Sequence, residues 1–305
     1  MNILILTPAQ LENTTTYDDS RWNLVLETYK SILKLKNDTL QFIPIPWNTL
    51  TGVYNQKIYS EIHHIFPLLA WGYHQTADLW YQSLKEWEEL NLPLTNPIST
   101  LRWNSHKSYL VDKFKQLGLL TIESLLLPKA NPQSILEAFE HFKQVPIILK
   151  PAMSAGGFAT VKLKTKDEIS QWKAPTSYTG DFIVQPFLPR IQSEEGEISL
   201  IFLQQEFSHA VKKTVGNPKE FRIHEKFMGK TQEFIPSKDQ IHLGYKILKK
   251  ISEDQRIDYA RIDLVKDLIM EVELIEPDLF LSYAPLAGKD LFSKMIRRSN
   301  NVIVK

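Results

Sequence analysis

Residues 259–275, YARIDLVKDLIMEVELI, alternate between polar and apolar side chains on both sides of a short polar segment. Period-two alternation interrupted in this way predicts a β-hairpin. A three-residue turn at 266–268 places Asp263 opposite Glu271 and Arg261 opposite Glu273. The same register pairs apolar residues on the other face, namely Leu264 with Met270, Ile262 with Val272 and Ala260 with Leu274. A two-residue turn would pair polar with apolar residues, so the pattern favours the longer turn.

The polar face of this hairpin gathers the carboxylates of Asp263, Glu271 and Glu273. Like charges that face each other across strands destabilise a sheet unless something neutralises them. One interpretation is a solvent-exposed edge hairpin, whose charges Arg261 and nearby lysines screen. The other is a site for a hard cation, and oxygen ligands without cysteine favour Mg²⁺ or Mn²⁺. The hairpin alone leaves both interpretations open.

A second informative segment is 147–163, IILKPAMSAGGFATVKL, in which two apolar runs surround a loop of small residues that begins after Lys150. The chain has only 11 glycines in 305 residues, and two of them, Gly156 and Gly157, are adjacent here. Adjacent glycines adopt positive φ angles readily, which is typical of a turn between strands. The same features fit a flap whose backbone N–H groups bind phosphates while the Lys150 ammonium neutralises charge.

Charge and composition exclude several classes of protein. The 36 basic and 35 acidic residues give a formal net charge of +1, so no long-range field attracts nucleic acid or a membrane surface. There is no cysteine, which excludes disulfides, cysteine-ligated zinc and a cysteine nucleophile. The first apolar run, in MNILILTPAQ, is too short for a signal peptide, and no segment reaches the roughly 18 apolar residues of a membrane span. We expect a soluble, cytoplasmic protein.

The N-terminal third of the chain predicts alternating strands and helices. Apolar residues recur at helical spacing over 21–35 and 76–90, and buried strands are expected at the N-terminus, at 40–47 and within 64–74. Candidate caps for the first helix are Asp18, Asp19 and Ser20. This order predicts an α/β unit with parallel strands that ends at the proline-containing linker 92–100.

The remainder of the chain predicts further helices and hairpins. A helix is expected at 104–118, with Asn104 or Ser105 as N-cap and Gly118 as its C-terminal stop. The other expected elements are helices at 132–143, 238–253 and within 289–298, a strand within 181–191, and a hairpin at 197–215 that turns near 204–206.

Chemically distinctive residues follow one another in an order that resembles a known family. Lys107, at the start of a predicted helix, precedes LKPAMSAGG, then IVQPFL, then the element GEIS at 196–199, and last the Asp and Glu-x-Glu of the hairpin. This order resembles the ATP-grasp carboxylate–amine ligases. The finer match is to their glutathione-synthetase-like branch, which includes the O-ureido-serine cyclo-ligase of D-cycloserine biosynthesis. That branch carries runs similar to NPISTLRWNSHKSYL, FSHAVKK, FRIH and VELIEPDLFL, so the resemblance covers nearly the whole chain.

The resemblance implies an α/β chain with the ATP-grasp fold. Residues 1–98 would form a Rossmann-like pre-ATP-grasp domain, 99–186 a central lid subdomain, and 187–305 a C-terminal subdomain that carries the metal-binding hairpin. The two subdomains would be α+β units that hold ATP between them.

The resemblance also implies an ATP site. Lys107 and Lys150 would contact the phosphates from opposite sides, under a loop formed by Ser154, Ala155, Gly156 and Gly157. Adenine would lie against Gln185, Pro186, Phe187 and Leu188, with Gln185 towards its exocyclic amine. Glu197 of the GEIS element belongs to the same nucleotide-binding set. Pro186 has no N–H, so the donor to the adenine ring would be Phe187 or Leu188. Glu194 or Glu195 would bind the ribose hydroxyls.

By the same resemblance, Asp263, Glu271 and Glu273 would bind two Mg²⁺ ions, with Mn²⁺ as an alternative. Glu276 could contribute as a further ligand or simply end the strand, since it falls off the two-residue alternation. Lys213 and Arg222 would be the catalytic residues that stabilise negative charge on the transferred phosphoryl group or on an acyl phosphate. Arg261 could act in catalysis or as a structural ion-pair partner.

The implied reaction activates the carboxylate of a small molecule, an amino acid or a derivative, as an acyl phosphate that an amine then attacks. The alternatives are a ligase that modifies a peptide or protein, and a non-catalytic ATP-binding protein. One departure bears on the substrate: the family's W-D-Y motif stands here as WGYH, with Gly72 in place of the aspartate. The sequence does not indicate the acid, the amine or the oligomeric state.

Overall fold

The structure is a computed structural model that describes residues 2–10, 21–35, 40–55, 64–252 and 255–298. The candidate caps Asp18, Asp19 and Ser20 lie outside these ranges. The described strands form three sheets, of three, four and five strands. No helix within the described ranges is long and apolar enough to cross a membrane.

The first sheet is parallel, as predicted. Its strands are β1 (Asn2–Thr7), β2 (Gln41–Pro46) and β3 (Ile65–Phe66), in the order β2-β1-β3. Its helices are α1 (Arg21–Leu35), α2 (Leu50–Asn55) and α3 (Ala77–Glu89). The central strand is apolar and buried from Ile3 to Leu6, while β2, at the edge, contains Pro44 and Pro46. An edge strand tolerates proline because the missing N–H need not pair with another strand.

The single helix predicted at 104–118 is wrong. Helix α4 covers Ile98–Asn104, a 3₁₀ turn covers Lys107–Leu110, and helix α5 covers only Lys113–Gln116. Gly118 follows α5 with a φ of 59°, so its predicted role as the stop of the last helical turn is confirmed.

Tertiary hydrogen bonds explain why this helix breaks. Asn104 does not cap a helix: its side chain donates to the carbonyl of Val272 and accepts from the N–H of Leu274. Ser105 does not cap one either, since its hydroxyl donates to the carbonyl of Leu101. The Lys107 N–H donates to a carbonyl outside the segment, that of Ala152, at 2.8 Å. The partners of Asn104 and Lys107 are distant in sequence, and helical spacing cannot reveal them.

The second sheet is antiparallel and has four strands. Its elements are β4 (Leu125–Leu127), α6 (Pro132–His141), β5 (Ile147–Pro151), β6 (Val161–Leu163), α7 (Lys166–Gln171) and β7 (Phe182–Pro186), with strand order β4-β7-β5-β6. Asn131 and Ser134 form a reciprocal capping box at the start of α6. The predicted hairpin around the glycine loop is confirmed as β5 and β6.

The third sheet is antiparallel and has five strands. Its elements are β8 (Glu197–Leu203), β9 (Glu206–Thr214), β10 (Lys230–Phe234), α8 (Lys238–Ile251), β11 (Tyr259–Val265) and β12 (Leu268–Glu273), with strand order β10-β9-β8-β11-β12. The predicted hairpin at 197–215 is confirmed, with its turn at Gln204 and Gln205.

The β11–β12 hairpin has the predicted pairing of polar residues but a different turn. Asp263 lies opposite Glu271, Arg261 opposite Glu273 and Ile262 opposite Val272. The turn contains two residues, Lys266 and Asp267, and Leu264 lies opposite Ile269 rather than Met270. A register shift between Asp263 and Leu264 absorbs Met270 as an extra residue on β12. Because the bulge takes up one residue of β12, the turn can be one residue shorter than predicted while Asp263 still lies opposite Glu271 and Arg261 opposite Glu273.

The last described helix, α9 (Leu286–Arg298), joins the first sheet to the third. It begins one turn earlier than the sequence predicts. Phe292 of α9 and Tyr29 of α1 lie with ring centroids 4.9 Å apart, in a core that also contains Ile201 and Tyr259 of the third sheet. The three sheets occupy successive parts of the chain, but the domain boundaries at 98 and 186 stay a prediction.

Candidate functional site

A cleft of about 1580 Å³, including the part open to solvent, lies between the second and third sheets. It gathers almost all of the residues that the sequence assigned to a site. Those that line it are Lys107, Lys150, Ser154, Ala155, Gly156, Gly157, Gln185, Pro186, Phe187, Leu188, Glu197, Lys213, Arg222, Asp263, Glu271 and Glu273. Residues from distant parts of the chain therefore converge on one cleft.

Glu194 is the exception among the predicted residues. It is exposed and does not belong to the lining of the cleft. Its alternative, Glu195, is also exposed and pairs with Arg190. Neither carboxylate lies where the other predicted residues meet, and the assignment of a ribose ligand stays a prediction.

Lys107 connects two parts of the cleft. One is the glycine loop, residues 154–157, and the other is the carboxylate face, the side of the β11–β12 hairpin that carries Asp263, Glu271 and Glu273. The Lys107 side chain is 8% exposed, and its ammonium donates to the carbonyl of Ser154 at 2.6 Å. The same ammonium lies 3.1 Å from a carboxylate oxygen of Glu271. Because its backbone N–H also bonds Ala152, Lys107 fixes the start of the loop by main chain and side chain together.

Lys150 approaches the cleft from β5. It stands two residues after Ile148, which lines the same cleft, because alternate residues of a strand project from one face. Burial lowers the pKa of Lys150, and the neighbouring Glu271 opposes that shift. Its ammonium is thus poorly solvated, and an anion in the cleft would stabilise it.

The glycine loop packs against residues 222–227 on the other side of the cleft. Gly156 and Gly157 have φ angles of 58° and 71°, which side chains rarely adopt. A Cβ on Gly157 would lie 3.0 Å from the Phe227 ring. The Arg222 guanidinium stacks on that ring at 3.5 Å from its centroid and pairs with Glu220 at 2.9 Å. Glycine is therefore required here for conformation and for space.

One end of the cleft is apolar and has a backbone donor. The lining there includes Ile122, Ile148, Leu188 and Met270. The Phe187 N–H donates to the carbonyl of Pro146 at 2.7 Å, so it is occupied within the sheet. No acceptor among the described residues reaches the Leu188 N–H. Of the two donors that the sequence left open, Leu188 is the one available to a ligand.

Two cations neutralise Asp263 on the carboxylate face. Asp263, whose side chain is 5% exposed, lies 3.0 Å from Arg261 and 3.3 Å from Lys213, and it accepts from the Ser199 hydroxyl at 2.6 Å. Lys213 also lies 2.6 Å from Glu197. Burial alone would raise the pKa of Asp263, but Arg261 and Lys213 outweigh it and lower the pKa to about 2. Asp263 is thus held as a buried carboxylate.

Glu271 and Glu273 lie in different electrostatic surroundings. Burial raises the pKa of Glu271, but Lys107 and Lys150 more than compensate and lower it. Burial raises the pKa of Glu273 to about 7, with Glu271 and Asp263 adding to the rise and its ion pair with Arg261 opposing it. Among the described residues, no three His, Asp or Glu side chains converge so as to hold a metal ion. The assignment of these carboxylates as metal ligands stays a prediction.

The cleft also contains residues outside the predicted ligand set, and the sequence had left one of them, Glu276, open as a further carboxylate ligand. Glu276 and Tyr73 line it, and so does Phe280, which has a φ of 46°. Gly72, in the motif WGYH, has a φ of 82°, and the next residue, Tyr73, stacks on Trp80 with ring centroids 4.6 Å apart. Spacing gives no signal for these residues, since they come from irregular segments.

Comparisons with known proteins identify the fold. No family model matches the sequence, and no curated protein does. The structure, in contrast, matches solved ATP-grasp ligases along almost their whole length, which confirms the predicted α/β ATP-grasp fold.

Three of these structures illustrate the range of the likeness. D-cycloserine synthetase DcsG matches with a TM-score of 0.75 and 14% identity, over 98% of this chain and 99% of that one. D-alanine–D-alanine ligase from Bacillus anthracis matches with a TM-score of 0.67 and 15% identity, over 99% of each chain. The macrocyclase MdnC from Microcystis aeruginosa MRC, bound with the precursor peptide MdnA, matches with a TM-score of 0.60 and 12% identity, over 97% of this chain and 100% of that one. Because the identities are only 12–15%, the likeness establishes a shared fold and no more.

Proposed function

We propose that this chain is an ATP-dependent C–N ligase that activates the carboxylate of a small molecule as an acyl phosphate. The observation that carries the proposal is the convergence of three lysines from separate segments, Lys107, Lys150 and Lys213, on the cleft that the glycine loop covers. Three ammonium groups beside loop N–H groups that bond no acceptor among the described residues suit a triphosphate. The shared fold with ATP-grasp ligases supports the same conclusion.

The cleft fits the parts of a nucleotide. Its apolar end, with Ile148, Leu188 and Met270, suits adenine, and its cationic part suits the phosphates. The carboxylate oxygens of Asp263, Glu271 and Glu273 are the donors that Mg²⁺ prefers, and these residues would hold the ions. Since each carboxylate now has a lysine or arginine partner, ion binding would require those cations to turn toward the phosphates. Bound Mg²⁺ would neutralise phosphate charge.

The reaction has two steps. An oxygen of the substrate carboxylate attacks the γ-phosphorus of ATP, the bond to the β–γ bridging oxygen breaks, and ADP leaves. An amine nitrogen then attacks the acyl carbon, inorganic phosphate departs with the C–O bonding electrons, and the nitrogen loses a proton. Lys213 and Arg222 would stabilise the negative charge on the transferred group. No side-chain nucleophile takes part, and the protein acts by positioning and charge stabilisation.

An amino acid or a derivative suits the remaining part of the cleft. Glu276 lines this part, and it forms no ion pair with any described residue. Burial raises the pKa of Glu276, and Glu273 adds to the rise, so a cationic nitrogen would stabilise its ionised form. Two of the similar structures carry names that point to amino-acid chemistry, D-cycloserine synthetase and D-alanine–D-alanine ligase. The cytoplasmic location stays a prediction.

A peptide substrate is the second candidate. The observation that favours it is the likeness to MdnC, which was solved with a precursor peptide. A non-catalytic ATP-binding protein is the third, because Gly72 replaces an aspartate of the family motif.

The test is release of ADP from Mg·ATP in the presence of a panel of amino acids, hydroxamates and ureido acids. We expect release that depends on one acid and disappears in Glu271→Gln and Lys150→Ala. The exposed Lys115→Ala serves as a matched control that keeps activity. Release by Glu271→Gln at the wild-type rate would overturn the site assignment. ATP binding without turnover in any mixture would favour a peptide substrate or a non-catalytic protein.

A further inference from the structure

Ser124 fixes the side-chain amide of Gln185 in one orientation. Gln185 is 2% exposed, and its Nε2 donates to the Ser124 Oγ at 2.9 Å. The Ser124 Oγ in turn donates to the carbonyl oxygen of Ile122 at 2.9 Å. A serine hydroxyl has one proton, and a carbonyl oxygen can only accept. Because that proton is committed to Ile122, Gln185 has to present its NH₂ group to Ser124.

This orientation turns the amide oxygen of Gln185 away from Ser124. Gln185 lines the cleft at its apolar end, near Ile148 and Leu188. No donor among the described residues bonds its Oε1, and that atom keeps contact with the open space of the cleft. An acceptor held in this way is stabilised when a ligand supplies the missing N–H.

Together with Leu188, this oxygen forms an acceptor and donor pair. The Leu188 N–H has no acceptor among the described residues, whereas the neighbouring Phe187 N–H is occupied by Pro146. A purine with an amino group beside a ring nitrogen presents the complementary donor and acceptor. A base that lacks the amino group leaves Oε1 without a partner.

We propose that Ser124 is a positioning residue that sets selectivity for a 6-aminopurine by holding the Gln185 amide oxygen toward the base. The inference rests on the proposed function, since it requires a nucleotide in this cleft. Ser124 itself does not contact the base. Without its hydroxyl, the buried NH₂ of Gln185 loses its partner, the amide rotates, and the acceptor is no longer held in place.

The experiment compares two nucleotides that differ only at this position. ATP and purine riboside 5′-triphosphate, which lacks the 6-amino group, are titrated calorimetrically in the absence of an acid substrate. The triphosphate contributes equally to both, so the ratio of their Kd values reports the 6-amino contact. For the wild type we expect a ratio of roughly two- to tenfold in favour of ATP, the value of one net hydrogen bond. For Ser124→Ala we expect a ratio close to one.

Matched variants separate positioning from general damage. Ser170→Ala removes an exposed hydroxyl that also donates to a backbone carbonyl, and it should keep the wild-type ratio. Ser124→Thr retains the hydroxyl and should restore selectivity. Gln185→Met removes the amide and should abolish selectivity even if Ser124→Ala fails to fold. If the ratio of Kd values were unchanged in Ser124→Ala or in Gln185→Met, this inference would be overturned but the proposed function would not. Failure of both nucleotides to bind the wild type would overturn the proposed function with it.

Discussion

The Lys107 ammonium lies 2.6 Å from the carbonyl oxygen of Ser154 and thereby holds the first residue of the glycine loop. The same ammonium lies 3.1 Å from Glu271, so one side chain connects the loop to the carboxylate face. A phosphate that enters the cleft would compete for this cation with both partners. Binding of a phosphate to Lys107 would therefore also release its contacts with the loop and with Glu271.

Replacing Lys107 by methionine should weaken both functions of the side chain. Hydrogen bonds that involve a charged group contribute about 1.5–3 kcal/mol, so we expect the affinity for Mg·ATP to fall roughly 10- to 100-fold. We also expect faster proteolysis within residues 152–160. Titration calorimetry and limited proteolysis measure the two effects. Lys115→Met, on the exposed side of α5, is the control, and equal behaviour of the two variants would contradict the role assigned to Lys107.

Gly157→Ala and Gly52→Ala should have opposite effects on stability. Gly157 has a φ of 71°, and its new Cβ would lie 3.0 Å from Phe227, so we expect a loss of roughly 1–2 kcal/mol. Gly52 lies within α2 with nothing within 4 Å of a new Cβ, so alanine should stabilise by about 0.5–1 kcal/mol. Urea unfolding of the two variants measures these changes in the free energy of unfolding. A Gly157→Ala variant as stable as the wild type would contradict the described loop conformation.

Asp263→Asn should be strongly destabilising. The substitution leaves Arg261 and Lys213 buried with one fewer negative partner, and removing one member of a buried pair costs about 3–5 kcal/mol. Asp267→Asn, in the exposed turn of the same hairpin, should change the free energy of unfolding by less than about 0.5 kcal/mol. Denaturant titration at neutral pH compares them, and similar midpoints would disprove the buried network.

His209 should make stability depend on pH. Burial lowers its pKa from 6.5 to about 4, and the ring is held neutral between the Ser208 hydroxyl and the carbonyl of Leu279. Between those two pH values the unfolded chain binds a proton that the folded chain does not, so stability falls as pH falls through this window. The contribution is about 3 kcal/mol.

The measurement for His209 is urea unfolding at several pH values between 4 and 7.5. His209→Gln should lose some stability at pH 7.5 but depend less on pH than the wild type. His242→Gln, on the surface helix α8, is the matched control and should retain the wild-type dependence. An identical slope in His209→Gln would show that another group titrates.

The sequence predicted the elements that depend on local patterns and missed those that depend on distant partners. Alternation in β11 and β12 was enough to place Asp263 opposite Glu271. It was not enough to find the bulge at Met270, because a two-residue turn with a bulge and a three-residue turn give the same polar pairing. Helical spacing likewise failed at 104–118, where Asn104 bonds the backbone of a strand far along the chain.

The same distinction between local patterns and distant partners applies to the candidate site. Lys107, Lys150 and the glycine loop were recognisable by residue type and order, and the structure brings them together. The role of Ser124 was not recognisable, since it arises from one hydrogen bond to a residue 61 positions away. Tyr73 and Glu276 reach the cleft from irregular segments, where neither period two nor period 3.6 applies.

The contact between Tyr29 and Phe292 has a consequence for protein synthesis. A ribosome releases the first sheet and α1 long before it makes α9, so the part of the apolar face of α1 that packs on α9 stays uncovered until translation of the described chain is almost complete. Apolar surface that is exposed during synthesis promotes aggregation, and chaperones protect chains in that state. A nascent chain arrested before residue 286 should therefore resist proteolysis around Lys150, whose sheet is complete by then, but not around Tyr29.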